Sequence, residues 1–299
     1  MNKLGVKISF CFFLGSLLLP FQIIHAQDTS QYFFDKPTKK FAIYTGGVYA
    51  VSMLGLNQLW YKDYQQSKFH LFNDNDEWLQ VDKVGHFYSS YVLTSLSSEF
   101  LQGIENEKKR AFVAGGTTFL FLTTIEVFDG FSMEWGFSWG DVIANSSGIA
   151  LFTAQEIIFN KQFVRIKYSY QNSEYRKIKP ELLGENTLQG AFKDYNGQTY
   201  WASINLNNLH QSIKPRWLNV ALGYGGEEMI SATTDGVDEK GGFSPYRQYY
   251  LSLDVDFDKI PTKNKILKGV FKVANCIKVP FPTLEINRDF NTNFNWIYF

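Results

Sequence analysis

The sequence predicts an α+β protein, with an N-terminal four-helix bundle followed by an antiparallel β-rich C-terminal half. Two observations carry that expectation. Up to about residue 160 the apolar residues come in long stretches: Phe41 to Trp60, Val84 to Leu101, Ala111 to Phe128 and Val142 to Phe159. Each is long enough for about five turns of helix. Beyond that point the period falls to two, as in FVRIKYSYQ, TYWASINLN and QYYLSLDVDF, which is the alternation of half-buried strands. The expected organisation is an export signal over 1–26, a helical bundle with a polar site over 27–160 and a β-rich region over 161–299.

The first segment has a basic start (Lys3, Lys7), the apolar run ISFCFFLGSLLLPFQII and a small residue, Ala26, before QDTSQ. That is the three-part layout of an export signal. Cys11 lies inside the apolar run behind bulky Phe10, an unsuitable place for lipid attachment. Removing the signal leaves Cys276 as the single cysteine, so no intramolecular disulfide is expected, and stability rests on buried apolar surface. Twenty-nine Lys and Arg balance twenty-nine Asp and Glu, and no basic tract with interleaved aromatics is present, which argues against a nucleic-acid partner. The abundance of Phe and Tyr fits both a bilayer interface and a sheet-rich domain.

The four apolar stretches are joined by polar or glycine-punctuated connectors, YKDYQQSKFHLFNDNDEWLQ, ENEKKR and DGFSMEWGFSWGD. Their lengths would allow membrane crossing, but the charges oppose it. After an export signal, residues 105–110 and the segment after 160 would lie outside, and these are the basic places, with Lys108, Lys109, Arg110, Lys161, Arg165 and Lys167. A four-span inner-membrane topology would invert the usual placement of Lys and Arg. The reading favoured is an exported bundle resting against a membrane or against its own sheet. In the C-terminal half, Asn196-Gly197 predicts a tight hairpin turn. The final NFNWIYF resembles the closing strand of outer-membrane barrels, with an ordinary terminal strand as the alternative.

Short connectors make consecutive helices antiparallel neighbours. The start of the second stretch, the end of the third and the start of the fourth then share one end, which gathers Asp82, Lys83 and His86 with Glu126, Asp129, Asp141 and Asn145. Simple explanations exist for some of these. Asp82 reads as a helix N-cap, Ser138 with Asp141 as a capping box, and Asp129-Gly130 as a terminating turn; Lys83 reads as solvated at the rim. His86, Glu126 and Asn145 lack such explanations. Asn is a poor helix-interior residue, and a carboxylate near a helix C-terminus opposes the dipole. Burying Glu126 unpaired would cost several kcal/mol, so a partner such as Lys83, His86 or a metal ion is expected.

DKVGHF, a helix carrying Glu126, then Asp129-Gly130 and GFSWGDVIANSSG together resemble the YfiM-like family of predicted periplasmic lipoproteins, whose function is unknown. More distantly, the same residues are similar to the VanZ-like membrane proteins associated with glycopeptide resistance. The resemblance covers about residues 80–155 and falls on Asp82, Lys83, His86, Glu126, Asp129, Gly130, Asp141, Asn145 and Gly148. It implies a site without implying a reaction. KDYNGQTYW and VPFPTLEI look like segments of larger envelope members of that family.

The chemistry open to such a site is limited. His86, Glu126, Asp129 and Asp141 form a credible ligand set for a divalent cation. His86 and Glu126, with Asp82, Lys83 and Asn145 around them, could instead act as an acid and base pair. Lys83 and the helix N-termini would favour an anionic group such as a lipid phosphate. GFSWG fits the serine-hydrolase elbow pattern G-x-S-x-G, but no buried strand precedes it, and Ser138 is better explained as a cap. The function expected first is an exported cell-envelope protein, periplasmic or associated with the outer membrane, with a structural or binding role toward lipid or glycan. The alternative is a metal-assisted or acid–base hydrolase or transferase acting on a phosphate- or sugar-bearing lipid.

Overall fold

The computed structural model describes residues 65–233, 242–287 and 291–299, together with Gly47. The expected export signal and the helix over 41–60 lie outside the described residues. The chain is α+β, with a helical N-terminal part and an antiparallel sheet in the C-terminal half. It divides into two compact units. A helical unit holds Ser89–Lys161 with the described residues up to Asn73, and a β unit holds Gln162–Phe299 with Asp74–Tyr88.

Three long helices are described: α1 (Val81–Phe100), α2 (Glu107–Asp129) and α3 (Trp139–Phe159). α1 is divided between the units, its first residues Val81–Tyr88 belonging to the β unit. α2 starts at Asn106, whose side chain accepts from the Lys109 N–H at 2.9 Å. α3 starts at Ser138, whose Oγ accepts from the Asp141 N–H at 3.1 Å. Each cap satisfies a backbone donor that has no partner within its helix. α2 and α3 pack antiparallel through Gly115, where an added Cβ would sit 3.0 Å from both Ile149 and Thr153. Gly116, by contrast, faces open space, so of these two adjacent glycines Gly115 alone serves the close packing. Within the helical unit, α2 and α3 are long and apolar enough to cross a membrane, by length and composition. Phe112, Leu120, Ile143 and Ile158 are exposed on them.

The β unit is built on a six-stranded antiparallel meander: β1 (Val164–Tyr170), β2 (Gln198–Asn205), β3 (Leu218–Glu227), β4 (Tyr246–Val255), β5 (Phe281–Ile286) and β6 (Thr292–Tyr298). A short amphipathic helix, α4 (Lys265–Ala274), separates β4 from β5. The sheet is strongly curled, since Tyr298 of β6 reaches the Thr199 hydroxyl at 3.0 Å and the rings of Trp201 and Tyr250.

Asn196-Gly197 does not form the expected hairpin. β1 and β2 pair, but Gln171 to Gly197 lie between them, and neither Asn196 nor Gly197 has the positive φ that a type I′ turn requires. The Asn196 amide instead pairs with the Met229 backbone, accepting at 2.7 Å and donating at 2.9 Å. Gly197 is needed for space, because a Cβ there would collide with the Gln171 carbonyl.

Candidate polar site

In the β unit, α1 is entered through an uncommon backbone turn. Trp78, Leu79 and Gln80 have φ of 50°, 51° and 63°, left-handed values that cost L-residues about 1–2 kcal/mol each. Neighbouring groups hold the turn. The Trp78 N–H donates to the Ala232 carbonyl at 2.7 Å, and its ring lies 4.9 Å from that of Tyr195. The Tyr224 hydroxyl donates to the Leu79 carbonyl, and Gln80 Nε2 donates to the Asn75 carbonyl at 2.8 Å. Strained backbone of this kind persists where surroundings over-determine it, as at binding and catalytic sites.

The turn delivers Asp82, Lys83 and His86 into a buried network. The helix begins at Val81, so Asp82 lies inside the first turn and is not the N-cap expected from the sequence. Its Oδ1 accepts from the Tyr195 hydroxyl at 2.7 Å. Lys83 is not solvated at a rim. Its ammonium lies 2.7 Å from Asp74 Oδ1 and 3.1 Å from Asp82 Oδ2, with little of the side chain exposed. His86, one turn on from Asp82, is buried with Nε2 3.9 Å from Asp82 Oδ1. Close by, Gly85 lets the Tyr200 hydroxyl approach to 2.8 Å of where a Cβ would stand.

In the helical unit, the buried stripe of α2 ends in Glu126 and Asp129, and that of α3 begins with Asp141, Asn145 and Gly148. The antiparallel packing through Gly115, with Gly130 against Phe137, puts these residues at one end of the helix pair. Gly130 has an ordinary helical φ of −58° and is required for space, because Phe69 occupies the position of a Cβ. Asp141 is fully buried beside its cap Ser138, which among the described residues follows an isolated β-bridge at Phe137 and no longer strand. Among the described residues, Asn145 Oδ1 has no hydrogen-bond partner. Trp135 is buried, whereas Trp139 is exposed and its ring stands edge-on to Phe137 at 5.0 Å.

A second charged cluster, not anticipated from sequence, fills the concave side of the sheet. Lys167 and Asp254 are both fully buried and lie 2.8 Å apart. Lys278 sits over the Trp201 ring, 4.9 Å from its centroid, and donates to the Val279 carbonyl at 2.6 Å. The signal available was a charge at alternate positions of otherwise apolar strands, Lys167 in VRIKYSY and Asp254 in YLSLDV. Burial lowers the Lys278 ammonium to about 8, with Asp254 opposing the shift and Lys167 adding to it. Burial also lowers Lys167, against the pull of Asp254.

A pH dependence follows. Below pH 8 Lys278 is protonated in both folded and unfolded chains, so the cost of its buried charge is carried in full. From about 8 to 10.5 the unfolded chain binds more protons at this lysine, and its contribution to stability rises with pH. Lys278 should contribute a rise of about 1–2 kcal/mol between pH 8 and 10, opposed in the same range by Cys276 and the buried tyrosines, whose pKa values burial raises. Denaturant titrations of the natural chain and of Lys278→Met should show the contribution as the difference between their two pH profiles.

Residues 70–157 match the family described as predicted periplasmic lipoprotein (DUF2279). The matched segment contains Asp74, Asp82, Lys83, His86, Glu126, Asp129, Asp141 and Asn145. No curated protein and no solved structure matches the chain. Over the matched residues the chain is thus similar to a family assigned to the cell envelope, in agreement with an exported protein that is periplasmic or outer-membrane associated.

Proposed function

We propose that the chain is an exported cell-envelope protein with a structural or binding role toward lipid or glycan, and that the polar residues of its matched segment are chiefly scaffold. The observation that carries this reading is Lys83, whose charge is taken up by Asp74 and Asp82. A lysine so engaged is poorly placed to receive an external anionic group, because ligand binding would have to break a buried pair. We further assign the matched segment to the YfiM-like members of that family, on DKVGHF and GFSWGDVIANSSG. The VanZ-like likeness rests on residue types alone.

A second reading keeps the site chemical. Asp82 and His86 present two potential ligand atoms one helical turn apart in the β unit. A divalent cation taking His86 would support hydrolysis or transfer on a phosphate- or sugar-bearing lipid. Elemental analysis of the purified exported protein and of His86→Ala separates the readings. The scaffold reading expects no stoichiometric divalent metal in either, and a loss of about 1–3 kcal/mol in stability for His86→Ala. One metal per chain in the natural protein, absent from a folded and equally stable His86→Ala variant, is the result that favours the chemical reading.

A further inference from the structure

The sheet is inverted relative to one that packs an apolar face on a core and turns a polar face to water. Along β4, the buried residues are Gln248, Tyr250, Ser252 and Asp254, and the exposed ones are Arg247, Tyr249, Leu251 and Leu253. The register carries this pattern across the sheet. Leu222 of β3 stands opposite Leu251, Leu251 opposite Leu284, and Leu284 opposite Phe294 of β6. Apolar side chains therefore form one row over four strands on the convex face. On the concave face Ser203, Asn219, Asp254, Ser252 and Thr283 are buried alongside the apolar cluster of Trp201, Ala221 and Tyr250.

Over β1 and β2 the convex face is covered from within the β unit, by Tyr88 on Tyr168 and Tyr200. From β3 onward the cover ends. Leu222 is 52% exposed, Leu251 44%, Phe294 54% and Trp296 78%. A contiguous apolar surface of this kind marks an interaction site. Polar residues inside and apolar residues outside is also the distribution that a lipid surroundings imposes on a sheet.

The charge of the adjoining segment identifies the partner. α4 follows β4 closely, with Phe271 packed on Phe257 at 5.6 Å and the Asn275 side chain accepting from the Phe257 N–H. The stretch KIPTKNKILKGVFKVANCIK, 259–278, has no acidic residue; Lys278 is buried over Trp201 and Lys272 pairs with Asp258 at 3.2 Å, which leaves Lys263, Lys265 and Lys268 exposed on its surface. Ile266 and Val270, one turn apart on α4, are exposed. An amphipathic helix with apolar residues and lysines is suited to the boundary between headgroups and acyl chains. A second copy of the chain would bring the same positive charge; anionic headgroups bring the complementary one.

We propose that the convex face of β3–β6 lies in the apolar layer of an anionic lipid bilayer, with α4 at its headgroup boundary. This deepens the envelope reading by naming the partner, and it rests on that reading for access to a membrane. The test uses the full exported chain, purified in mild detergent and mixed with vesicles of phosphatidylglycerol and phosphatidylethanolamine or of phosphatidylcholine alone. The protein should float with the anionic vesicles. Leu222→Asp with Leu251→Asp should weaken binding by about tenfold or more, and Lys265→Glu with Lys268→Glu should weaken it without touching the sheet. A fluorophore on Leu251→Cys should be quenched by brominated acyl chains. The proposal is overturned if the natural chain floats no better than the paired aspartate variant. It is also overturned if the label, on chain freed of detergent, is shielded without vesicles, or if the chain forms a dimer that Leu251→Asp dissociates, since chain rather than lipid then covers the face. Cell fractionation separates the two levels: envelope localisation without vesicle binding sinks this inference alone, whereas a cytoplasmic chain sinks the envelope reading.

Discussion

Asp254→Asn should lower the stability of the β unit by about 3–5 kcal/mol, the usual cost of removing one partner of a buried ion pair. Asp254 is fully buried, 2.8 Å from the Lys167 ammonium. It also accepts from Ser203 Oγ at 2.6 Å and from the Val279 N–H at 3.1 Å. Lys167 donates in addition to the Val255 carbonyl at 2.7 Å, but a carbonyl does not neutralise a charge. Without Asp254 the lysine must lose its proton or remain a buried cation, and either choice is costly. Replacing both residues, Lys167→Met with Asp254→Leu, should recover most of the loss, because an apolar pair of similar volume has no desolvation cost to offset. Urea titrations with an unchanged slope would measure both steps. Equal losses in the single and double variants would show that the pair is not the coupled unit inferred from its geometry.

The long helices were legible because a stretch of apolar residues of that length admits few other conformations. Their starts lay earlier than the apolar residues suggested, at Val81, Glu107 and Trp139. The first turns are polar and are closed by side chains such as Asn106 and Ser138, whose capping role hydropathy does not display. The strands were legible from their alternation, but which alternate set is buried was not. Period two reads the same whichever face turns inward. The ordinary expectation of apolar in and polar out is reversed at Leu251, Ser252, Leu253 and Asp254. Asn196-Gly197 misled for a related reason, since the pair is equally suited to a turn and to the close backbone approach it makes here.

Part of the candidate site could be read from sequence, because charge inside an apolar helix is conspicuous. Asp82, Lys83 and His86 stood out for that reason, as did Glu126 and Asn145 inside theirs. Asp74 and Tyr195 did not stand out. Asp74 lies in FNDNDEW, which reads as a solvated connector, and Tyr195 meets Asp82 from 113 positions away. Contacts of that span depend on how the β unit folds around the start of α1, which no local pattern encodes. The left-handed turn at Trp78–Gln80 was invisible for the opposite reason, because its residue types argue against it.

Lys83→Met should be the most damaging single substitution in the polar network, at about 3–5 kcal/mol. It removes the cation that Asp74 and Asp82 share and leaves the Asp74 carboxylate, 1% exposed, without its 2.7 Å partner. Asp74→Asn should cost less, about 1–2 kcal/mol, because Lys83 keeps Asp82 at 3.1 Å. The pair Asp74→Asn with Asp82→Asn should fall between them, since a lysine on a flexible stem can turn its charge toward water and a short aspartate cannot. That ordering is specific to a load shared by one lysine between two carboxylates. A site built for an external ligand predicts a different one, in which Lys83→Met relieves nothing structural, leaves thermal unfolding unchanged and abolishes binding. Thermal and urea unfolding of the three variants therefore test the network's energetics and bear on whether the charges at the start of α1 serve the fold or a ligand.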